Sequence, residues 1–349
     1  MRKGFNFLWN GHPLLLPPSK VRMPVRETSM NQGRRVLLSL SLVALASRRA
    51  KAAYPIRVGT LRFGSVGWEM DVIRAYGLDM GQGVNVESVE FAAGQATQVA
   101  LQAGRVDMTV QDWLWVSRQR ASGADWTLAP TSGAVGAVIV PAGSGIRDMA
   151  GLRGKRLGVA GSPLDKSWLI LRAYASRVCG LDLDQAVEKQ FGPPPLLAEQ
   201  LASGRLDAVL TYWPFAARAE AAGMVRVLAV EDAVVGLGIT GAVPAVGWVF
   251  SDGFAARAPD AVRGFIAAST QARAILVSSD AEWDRIAPLT GTSGPSELTR
   301  VRDWYRRGVP GAWDLNATAA LYDVLAQIGG PALVGPATHL SPGTFWMPA

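Results

Sequence analysis

The chain has 349 residues, 49% of them hydrophobic and 18% charged, enough for two lobes with their own cores and too apolar for general disorder. Its formal net charge of +7 is uneven: residues 1–53 hold ten Lys/Arg and one acid, Glu27, for +9, leaving −2 for residues 54–349. A near-neutral body with no basic stripe argues against a nucleic-acid partner.

The N-terminal stretch reads as an export signal. Arg34-Arg35 precede an apolar run, Val36 to Ala46, and Ala50-Lys51-Ala52 offers small residues at cleavage spacing. Eleven apolar residues are too few to span a bilayer. The paired arginines and the following Arg48-Arg49 fit a twin-arginine signal, with the ordinary secretory route and an amphipathic anchor as the alternatives. Met30 is the expected true start. Cys179 is the single cysteine of the sequence, so no intrachain disulfide can form. It lies too far downstream to carry an N-terminal lipid, and its apolar helical surroundings predict a core position.

From Tyr54 onward short apolar runs alternate with amphipathic stretches, the pattern of α/β architecture. Strands are expected at 56–63, 84–91, 108–111 and 134–141, with helices at 68–76, 96–103 and 113–122. The pattern then restarts: strands at 156–159, 208–212, 225–230 and 246–250, and helices at 165–178, 196–203 and 215–222. The remainder reads as helical at 259–279, 297–307 and 318–328.

An internal repeat organises these elements. Residues 101–123 (LQAGRVDMTVQDWLWVSRQRASG) and 201–223 (LASGRLDAVLTYWPFAARAEAAG) match at eight of 23 positions, including Gly104/Gly204, Asp107/Asp207 and Trp113/Trp213. Each copy reads helix, glycine cap, short strand, aromatic, helix, and two copies predict two sister lobes. In open α/β sheets ligands sit outside the carboxyl ends of strands, which directs Gln111-Asp112-Trp113 and Thr211-Tyr212-Trp213 toward an inter-lobe cleft. The alternative is that the tryptophans only pack their helices on the sheets.

Two further small-residue turns open helices: Gly64 to Glu69, and Gly161 to Ser167. Their free backbone N–H groups suit an anion, or Ser65 and Ser162 act as plain helix caps. Glu69, Asp112 and Asp165 beside Trp68, Trp113, Tyr212 and Trp213 suit instead a cation or a flat nitrogenous ring. If the acids are N-terminal caps facing away, that argument falls, so the sequence leaves the ligand's charge open.

Enzyme signatures are absent. The histidines are His12 and His339 alone, which excludes a histidine-rich metal site and disfavours a His-based triad. No dinucleotide, phosphate-loop or nucleophile-elbow motif occurs. Neither a cofactor nor a metal is expected.

From about Ile56 to Gly335 the chain resembles the nitrate/sulfonate/taurine group of ABC-transporter solute-binding proteins, which includes thiamine-precursor binders. The resemblance rests on the Gly64–Glu69 turn, the Leu101-x-x-Gly104-x-x-Asp107 segment with its copy at 201–207, and Ile146-x-x-Met149-x-Gly151-Leu152-x-Gly154-Lys155-x-x-x-Val159. The turn from Ser162 and the Trp213-Pro214 step add to it. It implies a type II periplasmic-binding fold with two crossovers, lobe 1 at 54–142 plus 243–349 and lobe 2 at 143–242. It implies ligand contacts at Ser65, Trp68, Glu69, Gln111, Asp112, Trp113, Gly133, Ser162, Asp165, Tyr212 and Trp213, with Lys166 beside them. The function implied is a monomeric periplasmic binding component of an importer, passing a small aromatic, nitrogenous or sulfonate-like molecule to a membrane permease. The alternatives are a non-transport periplasmic sensor or accessory protein, or an enzyme using the same cleft. The acid- and tryptophan-rich turns depart from the family pattern.

Overall fold

A computed structural model describes residues 52–309 and 311–348. The expected export signal, with Met30, Arg34 and Arg35, lies outside the described residues.

Two five-stranded sheets carry the fold. In the first, β1 (Tyr54–Leu61) pairs in parallel with β2 (Val84–Phe91) and β3 (Met108–Gln111). The edge strand β4 (Trp126–Ser132) is joined to β3 through the antiparallel β10 (Val246–Ser251). The second sheet contains β5 (Ala137–Val140), β6 (Arg156–Ala160), β7 (Glu188–Gly192), β8 (Ala208–Thr211) and β9 (Val225–Ala229), in the order β7-β6-β8-β5-β9. The two sheets have the same plan: a parallel trio, then an antiparallel strand that arrives from elsewhere in the chain. This is the expected two-lobed α/β fold.

The chain crosses between sheets twice, at residues 133–136 and 237–245. The first crossing comes earlier than the expected boundary at 142, because β5 pairs with β8 and β9 of the second sheet. Gly136 is obligatory there: a Cβ on it would run into the Thr211 carbonyl at the tip of β8.

The repeat is borne out in register. Helix α1 (Val66–Tyr76) follows β1, α2 (Gly94–Gln102) precedes β3, and α3 (Trp113–Ala121) follows it. In the second lobe α4 (Lys166–Cys179) follows β6, α5 (Pro194–Ala202) precedes β8, and α6 (Trp213–Ala221) follows it. The repeated aspartates have one job in both copies. Asp107 takes the Arg57 guanidinium at 2.7 and 3.0 Å and the Arg57 N–H at 2.8 Å. Asp207 holds Arg156 in the same way at 2.7, 3.0 and 2.9 Å. Each clamp ties the start of one parallel strand to its neighbour, which accounts for an aspartate three residues after each glycine.

Helix α7 (Val230–Gly236) closes the second lobe and α8 (Pro259–Ser278) backs the first against α1. Two C-terminal helices then cross over to the second lobe: α9 (Pro295–Arg307) packs along α6, and α10 (Leu315–Gly329) against α4. Both hydrophobic cores therefore draw side chains from both sheets. The final segment returns to the first lobe. Leu128 of β4 donates its N–H to Thr344 and accepts one from Trp346, both at 2.9 Å, and Trp346 packs edge-on against Phe250. Cys179 is exposed at the last position of α4, not in the core, because the apolar face of that helix ends at Ala175. None of the described helices is long and apolar enough to cross a membrane.

Candidate functional site

The tips of β3, β6 and β8 lead into helices whose N-cap residues, Asp112, Asp165 and Tyr212, lie near one another along one seam. Asp112 is the N-cap of α3, accepting the Trp115 N–H at 2.8 Å, and Asp165 is the N-cap of α4, accepting the Ser167 N–H at 2.9 Å. Capping thus uses one oxygen of each carboxylate. The other Asp165 oxygen accepts a long, 3.4 Å bond from the Tyr212 hydroxyl. Gly161 makes that convergence feasible: its φ is +94°, and a Cβ there would lie 2.8 Å from Asp165 Oδ2 and 2.9 Å from the Tyr212 oxygen.

These groups feel one another electrostatically. Burial, with repulsion from Asp112 across the seam, pushes the Asp165 carboxyl up to about 6, against the pull of Lys166 and the Ser167 and Trp168 N–H groups. Burial lowers the Lys166 ammonium, and Asp112 and Asp165 oppose that shift. Burial and Asp165 hold the Tyr212 hydroxyl well above its usual value. A folded-state value near 6 against the usual 3.8 favours folding at low pH; that contribution is lost as the pH rises through about 6. Asp165→Asn keeps a capping side chain and removes the charge. It is expected to be more stable than wild type by roughly 2–3 kcal/mol at pH 7.5, the difference closing near pH 4. Equal urea midpoints at pH 7.5 would refute this.

Lys166 is 5% exposed and lines a cavity of about 190 Å³ beside both crossovers. Gly133, Ile170, Val234, Ile239 and Trp313 contribute to its wall. Two buried polar atoms, Trp113 Nε1 and Thr211 Oγ1, lack hydrogen-bond partners among the described residues. Both stand at the strand tips that the repeat singles out.

Other expected contacts have different duties. Trp68 is 3% exposed, donates to the Leu289 carbonyl at 3.0 Å, and meets Trp213 and Trp283 edge-on, each at 5.7 Å. Glu69 does not face the seam. Its carboxylate is buried with Ser269, Arg273 and Tyr305 at 3.3, 3.5 and 3.2 Å. Burial raises it on balance, while Arg273 and the two hydroxyls oppose. Gln111 turns toward α2, bonding Thr97 and Gln98 at 2.9 Å. Trp113 is fully buried with its ring centre 6.5 Å from that of Tyr322, so the two repeat tryptophans enter different cores and do not look at each other. Ser65 makes no side-chain cap bond, whereas Ser162 accepts the Leu164 N–H at 3.2 Å.

The sequence reading missed the cavity wall from α7, the second crossover and Trp313. It also missed Arg273, whose place inside the apolar run of α8 was a usable signal: a charge among buried residues needs a buried partner.

The alkanesulfonate-binding protein SsuA from Xanthomonas axonopodis pv. citri, bound to MOPS, superposes with a TM-score of 0.67 at 20% identity, covering 84% of this chain and 98% of that one. The periplasmic aliphatic sulphonate binding protein SsuA from Escherichia coli gives 0.65 at 18%, covering 84% and 97%. The periplasmic nitrate-binding protein NrtA from Synechocystis PCC 6803 gives 0.55 at 11%, covering 70% and 69%. No curated protein matches the chain in sequence. The family model described as NMT1/THI5 like matches residues 80–282, more than half of the chain, so this protein belongs to the NMT1/THI5 like family.

Proposed function

We propose that this protein is the solute-capturing component of a periplasmic ABC importer: it holds one small organic molecule between its lobes and presents it to a membrane permease. One observation carries the reading. Helix starts from both halves of the repeat bring Asp112, Asp165, Lys166 and Tyr212 together, and Lys166, 5% exposed, lines a cavity of about 190 Å³ beside both crossovers. A buried charged side chain facing open space marks where a ligand's polar atom goes. The likeness to periplasmic sulfonate- and nitrate-binding proteins supports capture and export. No catalytic role is assigned to any residue.

Native mass spectrometry of protein purified without denaturation tests the reading. The expected spectrum contains a one-to-one complex with a small molecule. Protein that emerges free and gives no heat with amines, pyrimidines, sulfonates or carboxylates would sink it.

A second reading, a non-transport periplasmic sensor or accessory protein, is favoured by the tie between the lobes. On α9, Tyr305 bonds Glu69 of the first lobe at 3.2 Å while Trp304 bonds Glu220 of the second at 3.0 Å. Small-angle scattering separates the two readings. Transport requires the radius of gyration to fall when ligand binds; an accessory protein held shut keeps it constant.

A further inference from the structure

The structure assigns the cavity beside the crossovers to a short-chain monocarboxylic acid, its carboxylate paired with the Lys166 ammonium and its apolar body against Ile170, Val234 and Ile239. This rests on the solute-capture reading above and names the chemistry of the solute.

Four observations lead there. First, Lys166 is 5% exposed and makes no hydrogen bond or salt bridge among the described residues. A buried ammonium without a partner is costly, and the open space beside it is where a counter-charge fits. Second, the two nearby acids attract the ammonium, but neither forms a salt bridge with it among the described residues. Asp112 and Asp165 each commit an oxygen to a helix N-terminus, whose dipole already offsets part of their charge. Third, the remaining charges of the wall, Glu231 and Arg307, are exposed and opposite in sign, so the one buried charge that lines the cavity is a cation. Fourth, the rest of the wall is mainly aliphatic, and about 190 Å³ is below the roughly 300–1,000 Å³ of ordinary ligand pockets. A body of a few carbons fits, and a larger cofactor fragment does not.

The head group follows from counting acceptors. Buried acceptors need donors. A carboxylate brings two oxygens and a sulfonate three, while the cavity offers one buried side-chain donor. The two-oxygen head leaves fewer acceptors stranded.

Isothermal titration with butanoate, benzoate, butanesulfonate, butylamine and butanol gives the test. Butanoate or benzoate is expected to bind wild type at least tenfold more tightly than butanol or butylamine, the size of one charge-assisted contact. Lys166→Met, which keeps the buried stem, is expected to lose that tenfold preference. Val234→Phe, which narrows the cavity and leaves the ammonium, is expected to weaken both acids as well. Circular dichroism confirms that each variant is folded, and the Val234 variant stands if the Lys166 variant is not. Carboxylates that fail to bind wild type, bind no better than butanol, or bind Lys166→Met unchanged overturn the assignment. So does butanesulfonate binding more tightly than butanoate. A neutral or cationic solute found by native mass spectrometry would sink the acid and leave solute capture standing; finding no solute by either method sinks both.

Discussion

Glu69→Ala is expected to destabilise the protein by about 3–5 kcal/mol, read as the shift of a urea unfolding curve at constant slope. The carboxylate is 6% exposed and sits among groups that arrive from far along the chain: Ser269 and Arg273 on α8, and Tyr305 on α9. Ser269 is itself fixed by the Trp248 indole at 2.8 Å and by Arg273 at 2.6 Å. Removing the carboxylate leaves the Arg273 guanidinium buried without its counter-charge, and that is where most of the cost arises. The same physics predicts a partial rescue. Replacing Glu69 and Arg273 together by methionine removes both charges, and the double variant is expected to recover more than half of the loss. A double variant no more stable than Glu69→Ala would show that the hydroxyl contacts, not the ion pair, hold the network.

Trp213→Ala should cost a similar amount, about 3–5 kcal/mol, and should also separate the lobes. Trp213 starts α6 in the second lobe. Its ring meets that of Trp68, on α1 of the first lobe, at 5.7 Å and that of Tyr305, on α9, at 6.1 Å. A second inter-lobe edge contact, Phe63 to Phe215 at 6.0 Å, lies nearby. Removing the indole empties the centre of this aromatic cluster. The expected readout is a lower urea midpoint together with a larger radius of gyration by scattering. A stability loss with no change in dimensions would mean that α9 alone keeps the lobes together.

The architecture was largely legible before any coordinates. The repeat placed the short strands expected at 108–111 and 208–212, the second ending one residue earlier at Thr211, and both structural glycines, Gly104 and Gly204, take the left-handed conformation expected of a cap. Elements that the pattern hid have physical reasons. β7 (EKQFG) is an edge strand with little to bury and no apolar run to betray it. β4 contains Pro130, which argues against a strand except at a sheet edge, where it sits. The site was half legible. Asp112, Asp165, Lys166 and Tyr212 were singled out and do meet. Glu69 and Gln111 were singled out by their place after strand tips, but a position after a strand does not tell which way a side chain turns. Glu69 turns toward an arginine 204 residues away, and no local pattern announces that.

The outer margin of the first sheet is finished by the chain's own last residues. Leu128 exchanges backbone hydrogen bonds with Thr344 and Trp346, and Trp346 meets Phe250 edge-on. Sheet margins left bare recruit other chains, and many proteins guard them with charge or a twist. Here the guard is a ribbon from the far end of the molecule, remote from the candidate site, and peeling it away is expected to turn a capped margin into a template for self-association.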